Sequence, residues 1–171
     1  NVSSSTMVQE ANGFMPMQAG PEISVASTKA FTTQIASLFW LANRIGLEQE
    51  KISVAQMKKA EEELFIAAEI LESSIENNKW KIQSLVAPKL SKFEKFIFLG
   101  RNISYPFALE SALKLKEISY IFAHAYPAGE LKHGPIALVD SNIPVVLFSV
   151  LDDLIYKKLL SNAQEVKARN G

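Results

Sequence analysis

The chain has 171 residues, 48% of them hydrophobic and 21% charged, and its 18 basic and 18 acidic side chains give a formal net charge of zero. This much apolar sequence can bury a core in one domain or two small lobes, which excludes a disordered protein. The balanced charge gives no electrostatic reason to expect nucleic acid or an anionic membrane as a partner. Because there is no cysteine, the chain has no disulfide, thiolate metal site or thiol nucleophile.

No targeting or membrane segment is visible in the sequence. The opening NVSSSTMVQEANG has neither a basic stretch nor an apolar core, so it is not a signal peptide. The longest apolar run, IPVVLFSV, is strand-sized and far below the roughly 20 residues that a membrane span needs. The sequence therefore predicts a soluble, cytoplasmic protein. It does not begin with methionine, and we expect it to be a piece of a longer chain.

Helices dominate the first half. Ser27 or Thr28 is a suitable N-cap for a helix that ends near Gly46 and is apolar nearly all round, which predicts burial on several sides. A second helix is predicted over residues 53–77, with apolar side chains on one face and mainly Glu and Lys on the other. A third, shorter helix is predicted over residues 80–85.

A boundary between two lobes is predicted near residue 90. Pro88 and the charged segment KLSKFEK that follows it interrupt the helical pattern. The sequence therefore predicts one lobe, with its linking helices, over residues 1–90 and another over residues 91–171.

The second half alternates between short apolar runs and amphipathic segments. Strands are predicted at residues 96–100 and 142–150, and helices at residues 105–122 and 152–171. Strands and helices that alternate at these lengths pair in parallel through crossover helices, so the fold class is α/β. Ligands of such sheets bind beyond the carboxyl ends of the strands, where residues 100–102 and 149–153 stand.

Three charged residues share one stripe of the predicted helix at residues 105–122. Glu110, Lys114 and Glu117 are spaced by four and three positions. The stripe can be an ordinary surface ladder of ion pairs. A functional role is the alternative, because this helix follows a strand end and the stripe is expected to border core residues: Leu109, Leu113 and Ile118.

Both histidines of the chain lie in the stretch HAYPAGELKHGP, residues 124–135. His133 precedes Gly134 and Pro135, which interrupt regular structure, and loops on a rigid scaffold commonly carry site residues. An imidazole there can serve as a general acid or base, although a structural histidine fits the pattern equally well. For His124, between two alanines, we expect a packed and hydrogen-bonded ring.

Other site patterns find no support. Two histidines nine positions apart, with no cysteine and no close Asp pair, match no common metal-ligand spacing, so no metal is predicted. The hydroxyl-rich SSST at residues 3–6 lacks the glycine of an anion cradle, and a solvated loop is predicted there. No glycine-rich nucleotide-binding motif occurs.

Two blocks carry a resemblance to a known family: GPEISVASTKAFTTQ (20–34) and YPFALESALKLKEISYIFAHAYPAGELKHGPIALVD (105–140). They resemble the isomerase half of the glucosamine-6-phosphate synthases, also called glutamine–fructose-6-phosphate aminotransferases (isomerising), which are built from sugar isomerase domains. The resemblance covers nearly the whole chain and is diffuse between residues 47 and 95. It implies two flavodoxin-like lobes with parallel sheets, of which this chain holds part of each.

The resemblance also implies a reaction and its residues. Ammonia released from glutamine by a separate glutaminase domain combines with fructose-6-phosphate, and proton transfer between C1 and C2 then gives glucosamine-6-phosphate. Glu117 matches the carboxylate that moves this proton, and Lys114 a lysine beside the reacting carbons, suited to stabilising developing negative charge. Glu110 matches a supporting carboxylate on the same stripe. No cofactor is implied.

Further site residues follow from the same resemblance. His133 matches the histidine that opens the sugar ring, reaching in the family into the active site of the other subunit of a homodimer. Val25 and Ser27 match positions that line the sugar site. Where relatives often have His-x-Glu, this chain has Phe122 and His124.

The family's phosphate-binding loop, Schiff-base lysine and glutaminase domain do not occur in this sequence, so we expect the chain alone to be inactive. Two other functions remain open for a chain with this fold. One is a deglycase acting on phosphorylated sugar–amino acid adducts, which would use the same carboxylate. The other is a non-enzymatic sugar-phosphate sensor fused to a DNA-binding domain, which would need no proton-transferring residues.

Overall fold

The structure, a computed structural model, describes residues 4–171. Of the SSST stretch, Ser3 therefore lies outside the described residues. The chain divides into two compact units, the first ending at Trp80 and the second spanning Lys81–Gly171. This division falls earlier in the chain than the lobe boundary predicted near residue 90, and that boundary stays a prediction.

The first unit is helical over the described residues. Its helices are α1 (Thr6–Glu10), α2 (Lys29–Glu48) and α3, which begins at Val54. Thr28 occupies the N-cap position of α2, as predicted, although its side chain makes no capping hydrogen bond. The helix continues past Gly46, the predicted end, by two residues.

The apolar side chains of α2 are less buried within this unit than predicted. None of its residues is fully buried, and Leu38 is 64% exposed. The prediction that α2 is buried on several sides is therefore wrong for the unit as it stands.

The start of α3 was predicted correctly because Ser53 opens it with a reciprocal cap. The Ser53 N–H donates to Gln56 Oε1 at 2.8 Å, and the Gln56 N–H donates back to Ser53 Oγ at 3.3 Å. The end was predicted wrongly. α3 runs to Lys81 and passes through a π-helical segment, Ile82–Val86, into α4. No Gly or Pro stands between residues 77 and 80 to stop it.

The second unit is a three-layer α/β sandwich, which confirms the predicted fold class. Three parallel strands form one sheet in the order β2-β1-β3. An α-helix connects the first strand to the second, two 3₁₀ helices connect the second to the third, and another α-helix follows the third. The elements are α4 (Ala87–Leu90), β1 (Lys95–Gly100), α5 (Tyr105–Ser119), β2 (Phe122–Pro127), β3 (Val145–Phe148) and α6 (Asp153–Lys167).

The central strand β1 divides the core in two because successive side chains of a strand point to opposite faces. On one face, Phe96 and Phe98 pack against small residues of α5 and β2: Ala108, Ala112, Ala123 and Ala125. On the other face, Ile97 and Leu99 pack against residues from the loop after β2 and from α6: Ala128, Leu131, Val139, Leu159 and Val166. This burial fixes the carboxyl end of β1, from which the candidate site is built.

The helix predicted over residues 105–122 ends three residues early. Tyr120 has a left-handed backbone with φ of 60°, which closes α5, and its N–H donates to the Lys116 carbonyl. Phe122 then opens the edge strand β2, which the sequence analysis had not separated from the helix.

Candidate active site

The charged stripe of α5 is one connected ion-pair cluster. Lys114 donates to Glu117 Oε2 at 2.7 Å, and its Nζ lies 3.3 Å from Glu110 Oε1. The three side chains are only 17% to 26% exposed, far less than the ladder on α3, where Lys58 is 77% exposed. A freely solvated surface ladder is therefore a poor description of this stripe.

The electrostatics of the stripe favour a fixed ammonium group. The hydrogen bond to Glu117 raises the pKa of Lys114 above its ordinary value; burial opposes this, and Glu110 adds to the rise. Lys114 therefore stays charged through the neutral range. Within residues 4–171, Oε1 of Glu117 has no hydrogen-bond partner, so this oxygen is available to accept a proton.

A tight turn aims α5 from the end of β1. The N–H of Arg101 donates to Ser104 Oγ at 2.8 Å, and that hydroxyl donates to the Arg101 carbonyl at 3.0 Å. A Cβ on Gly100 would lie 2.4 Å from the Ser104 carbonyl oxygen, so only glycine fits there. The first helical turn of α5 thus begins directly at the carboxyl end of the central strand.

The stripe does not border the core in the way the sequence predicted. Leu109, Leu113 and Ile118 are 46%, 40% and 65% exposed, because α5 packs on the sheet through its alanines. Ala108 and Ala112 let the helix backbone lie close to β1 and β2. The larger apolar side chains consequently remain on the outer side of this unit, next to the stripe.

His133 ends a short 3₁₀ helix, Ala128–His133, that follows β2. Within this helix, the side chains of Ala128 and Leu131 are fully buried, whereas His133 is exposed. Gly134, with φ of 137°, turns the chain into a second 3₁₀ helix, Pro135–Leu138, so the prediction that Gly134 and Pro135 interrupt regular structure holds only for the turn itself. In the part of the chain that the structure describes, His133 makes no hydrogen bond and is not joined to the α5 stripe.

Two other predicted features differ from expectation or stay untested. His124 is exposed on the edge strand, its ring 4.5 Å from that of Tyr126, so the expectation of a packed, hydrogen-bonded ring is wrong. In the first unit, Val25 is 83% exposed and Ser27 donates to Glu22 Oε2 at 3.2 Å. The role of Val25 and Ser27 at a sugar site stays a prediction.

A second polar cluster, which the sequence does not predict, lies beside the His133 segment. Arg101 Nη1 donates to Asn162 Oδ1 at 3.4 Å, and Asn162 Nδ2 donates to Glu165 Oε2 at 3.2 Å. Lys132 Nζ lies 2.9 Å from Glu165 Oε1. The sequence holds one signal for this cluster. Asn162 is a polar residue on the buried stripe of α6, between Leu159 and Val166.

The two cavities described below lie away from the predicted site residues. A cavity of about 500 Å³ at the amino end of the sheet and one of about 310 Å³ beside β2 are lined by neither the α5 stripe nor His133. Among residues 4–171, no cluster of three or more His, Cys, Asp or Glu side chains could hold a metal ion. Over the same residues, no helix has the length and apolarity to cross a membrane.

Comparison with known proteins identifies the second unit. Residues 89–171 match the family model described as the SIS domain. The match covers the part of the chain that forms the parallel sheet.

Relatives align with the full chain. It is 46% identical to the glutamine–fructose-6-phosphate aminotransferase (isomerizing) of Acinetobacter baylyi and 48% identical to that of Pseudomonas aeruginosa, both over 173 residues. Each alignment covers 100% of this chain and 28% of the relative. The chain thus spans little more than a quarter of the length of these curated relatives and resembles their isomerase half.

Solved structures give the same result. The C-terminal domain of glucosamine-fructose-6-phosphate aminotransferase from Francisella tularensis superposes with a TM-score of 0.91 at 46% identity, covering 100% of this chain and 47% of that one. A glucosamine-6-phosphate deaminase from Thermotoga maritima superposes with a TM-score of 0.72 at 26% identity, covering 98% and 47%.

Proposed function

We propose that the chain is part of the isomerase half of an enzyme that makes glucosamine-6-phosphate from fructose-6-phosphate and ammonia derived from glutamine. The observation that carries the proposal is the Glu117 carboxylate: one oxygen accepts a hydrogen bond from Lys114, and the other has no hydrogen-bond partner among residues 4–171. The full-length similarity to the isomerizing aminotransferases supports the choice of substrate class.

The reaction needs one base that serves two carbons. Ammonia condenses with the C2 carbonyl of the open sugar and water leaves, giving an imine. Glu117 takes a proton from C1, the C1–H electron pair forms the C1=C2 bond, and the C=N electron pair moves to nitrogen, which takes up a proton. The carboxylic acid of Glu117 then returns its proton to C2 while the C1 hydroxyl loses its proton and becomes the aldehyde carbonyl of glucosamine-6-phosphate. One proton is gained at nitrogen and one is lost from the C1 hydroxyl, so a single positioned carboxylate is sufficient for the two carbons.

Lys114 and Glu110 support that carboxylate in different ways. The ammonium of Lys114 fixes the orientation of Glu117 and lies beside the carbons where negative charge develops. Glu110 holds the ammonium from the other side at 3.3 Å, which limits the orientations open to Lys114. A preorganised charge of this kind lowers the barrier without reorganising during the reaction.

His133 opens the sugar ring before the proton transfer. The imidazole gives a proton to the ring oxygen as the bond from C2 to that oxygen breaks, and it takes one back from the C2 hydroxyl, which becomes the carbonyl. Its exposure is consistent with action across a subunit interface, in the active site of the partner in a homodimer. Val25 and Ser27 line the sugar site, a glutaminase domain supplies ammonia, and the enzyme works in the cytoplasm.

The test is Glu117→Gln in the full-length protein. Synthesis of glucosamine-6-phosphate and exchange of the C1 proton with solvent deuterium should both be abolished, while glutamine hydrolysis continues. The matched control is Glu63→Gln, whose carboxylate is 3.7 Å from Lys59 and exposed on α3, and it should leave synthesis unchanged. Near-normal synthesis by Glu117→Gln would refute the proposal.

A deglycase and a sugar-phosphate sensor are less well supported. The relatives that align along the whole chain carry the aminotransferase name. A sensor also has no use for a carboxylate with one oxygen free beside a fixed ammonium. Turnover of a phosphorylated sugar–amino acid adduct in place of fructose-6-phosphate would favour the deglycase.

A further inference from the structure

Three elements of the second unit converge on one carboxylate. Glu165 of α6 lies 2.9 Å from Lys132, which precedes His133 in the 3₁₀ helix after β2. Its other oxygen accepts a hydrogen bond from Asn162 at 3.2 Å. Asn162 in turn accepts one from Arg101, the first residue after β1. The cluster therefore joins the carboxyl end of the central strand, the last helix and the His133 segment.

The position of Glu165 is electrostatically fixed. Burial by itself would raise the pKa of Glu165, but the hydrogen bonds from Lys132 and Asn162 outweigh it, and the pKa lies below its ordinary value. Its side chain is 17% exposed and Asn162 is 6% exposed, so neither is an ordinary surface group. The hydrogen-bonded pair of Glu165 and Asn162 is partly buried and therefore holds its geometry better than an exposed ion pair does.

The segment that carries His133 needs an anchor of this kind. The buried side chains of Ala128 and Leu131 hold its backbone against the core. Gly134, directly after the histidine, leaves the backbone more conformational freedom there. The Arg101 guanidinium also covers Gly129, since a Cβ there would lie 3.5 Å from Nη1. The ion pair to Lys132 is the last tie before His133 along the segment.

We propose that Glu165, supported by Asn162 and Arg101, is a positioning residue for His133: it holds Lys132 and thereby fixes the direction in which the neighbouring imidazole is presented. This inference rests on the proposed function, in which His133 opens the sugar ring. A displacement of a catalytic group on the order of 1 Å can cost up to a hundredfold in rate, so a carboxylate that acts on His133 through Lys132 can affect kcat strongly.

The experiment is a double-mutant cycle in the full-length protein. Glu165→Gln should lower kcat for glucosamine-6-phosphate synthesis about tenfold and change KM for fructose-6-phosphate less than about twofold. In a His133→Ala background, the same substitution should change kcat less than about twofold, because the group it positions is absent. Lys132→Met, made at the exposed end of the pair, should reproduce the effect of Glu165→Gln without disturbing the core.

The control and the contrary results are well separated. Glu62→Gln breaks an exposed pair with Lys58 at 3.9 Å on α3 and should leave kcat unchanged. Equal losses from Glu165→Gln with and without His133 would show a general structural effect and overturn the inference alone. Unchanged kcat in Glu165→Gln, with kcat strongly lowered in His133→Ala, would also overturn it alone. Full activity of His133→Ala would overturn the proposed role of His133 and the inference together.

Discussion

The Lys114 ammonium lies 2.7 Å from Oε2 of Glu117, one helical turn further along α5. Because the same ammonium also contacts Glu110, a single cation sets the positions of two carboxylates. Lys114 and Glu117 therefore act together. The charge of Lys114 is as important to the proposed chemistry as the Glu117 carboxylate that carries the proton.

Lys114→Met should lower kcat for synthesis by roughly a hundredfold, because it removes both the charge beside the reacting carbons and the bond that orients Glu117. Glu110 and Glu117 would also face each other without a cation between them. The measurement is steady-state synthesis of glucosamine-6-phosphate, with Lys58→Met on α3 as a matched control that should behave as wild type. A loss confined to KM would argue against a role in the chemical step.

The stability contributed by Glu165 should depend on pH in a defined direction. Its folded-state pKa lies below the ordinary value of 4.5, so the contribution is present above 4.5 and is lost as the pH falls through the lowered folded-state value. The difference in melting temperature between wild type and Glu165→Gln should therefore shrink between neutral pH and about pH 3. A difference that grows on acidification would contradict the assignment of the lowered pKa.

Gly100→Ala should destabilise the second unit strongly. The added Cβ would lie 2.4 Å from the Ser104 carbonyl oxygen and 2.5 Å from Tyr105 Cα, and both neighbours are backbone atoms that cannot move aside cheaply. We expect a loss of about 1–3 kcal/mol or more, measured by hydrogen exchange of the β1 amides. Gly13→Ala is the matched control, since among residues 4–171 no atom beyond its two chain neighbours lies within 4 Å of its Cβ position.

Leu131→Ala should loosen the segment that carries His133. Leu131 is fully buried against the face of the sheet that contains Ile97 and Leu99, so truncation should cost about 2–5 kcal/mol by leaving a cavity. Leu138→Ala, at a side chain that is 50% exposed, should cost much less. The two variants can be compared by hydrogen exchange in β1, and equal effects would mean that Leu131 does not anchor the segment.

Local patterns were sufficient for much of the fold. The apolar runs of β1 and β3 and the start of α3 at Ser53 depend on neighbouring residues, and each was predicted. For β2 the sequence predicts only a strand or turn near His124, because the inward residues of the strand are Ala123 and Ala125, which suit a helix as well as a strand. The left-handed end of α5 also falls on Tyr120, where no glycine marks it.

Tertiary contacts explain the remaining errors. The sequence predicts that the large side chains of α5 face the core, yet the close approach of the helix to the sheet requires alanines there, which leaves Leu109 and Leu113 outside. The stripe of Glu110, Lys114 and Glu117 was found because its spacing lies within one helix. Glu165 was missed because its ion-pair partner Lys132 comes from a distant part of the chain and its own neighbourhood looks like a solvated face.

The division of the core by β1 has a consequence for synthesis of the protein. The residues that pack on Phe96 and Phe98, including Phe148 of β3, all lie before residue 149, so this side of the strand can close as soon as β3 has left the ribosome. The residues that cover Ile97 and Leu99 extend to Val166 at the end of α6. During translation, the second side of β1 therefore stays open after the first is complete, and Ile97 and Leu99 are the side chains that a chaperone would meet.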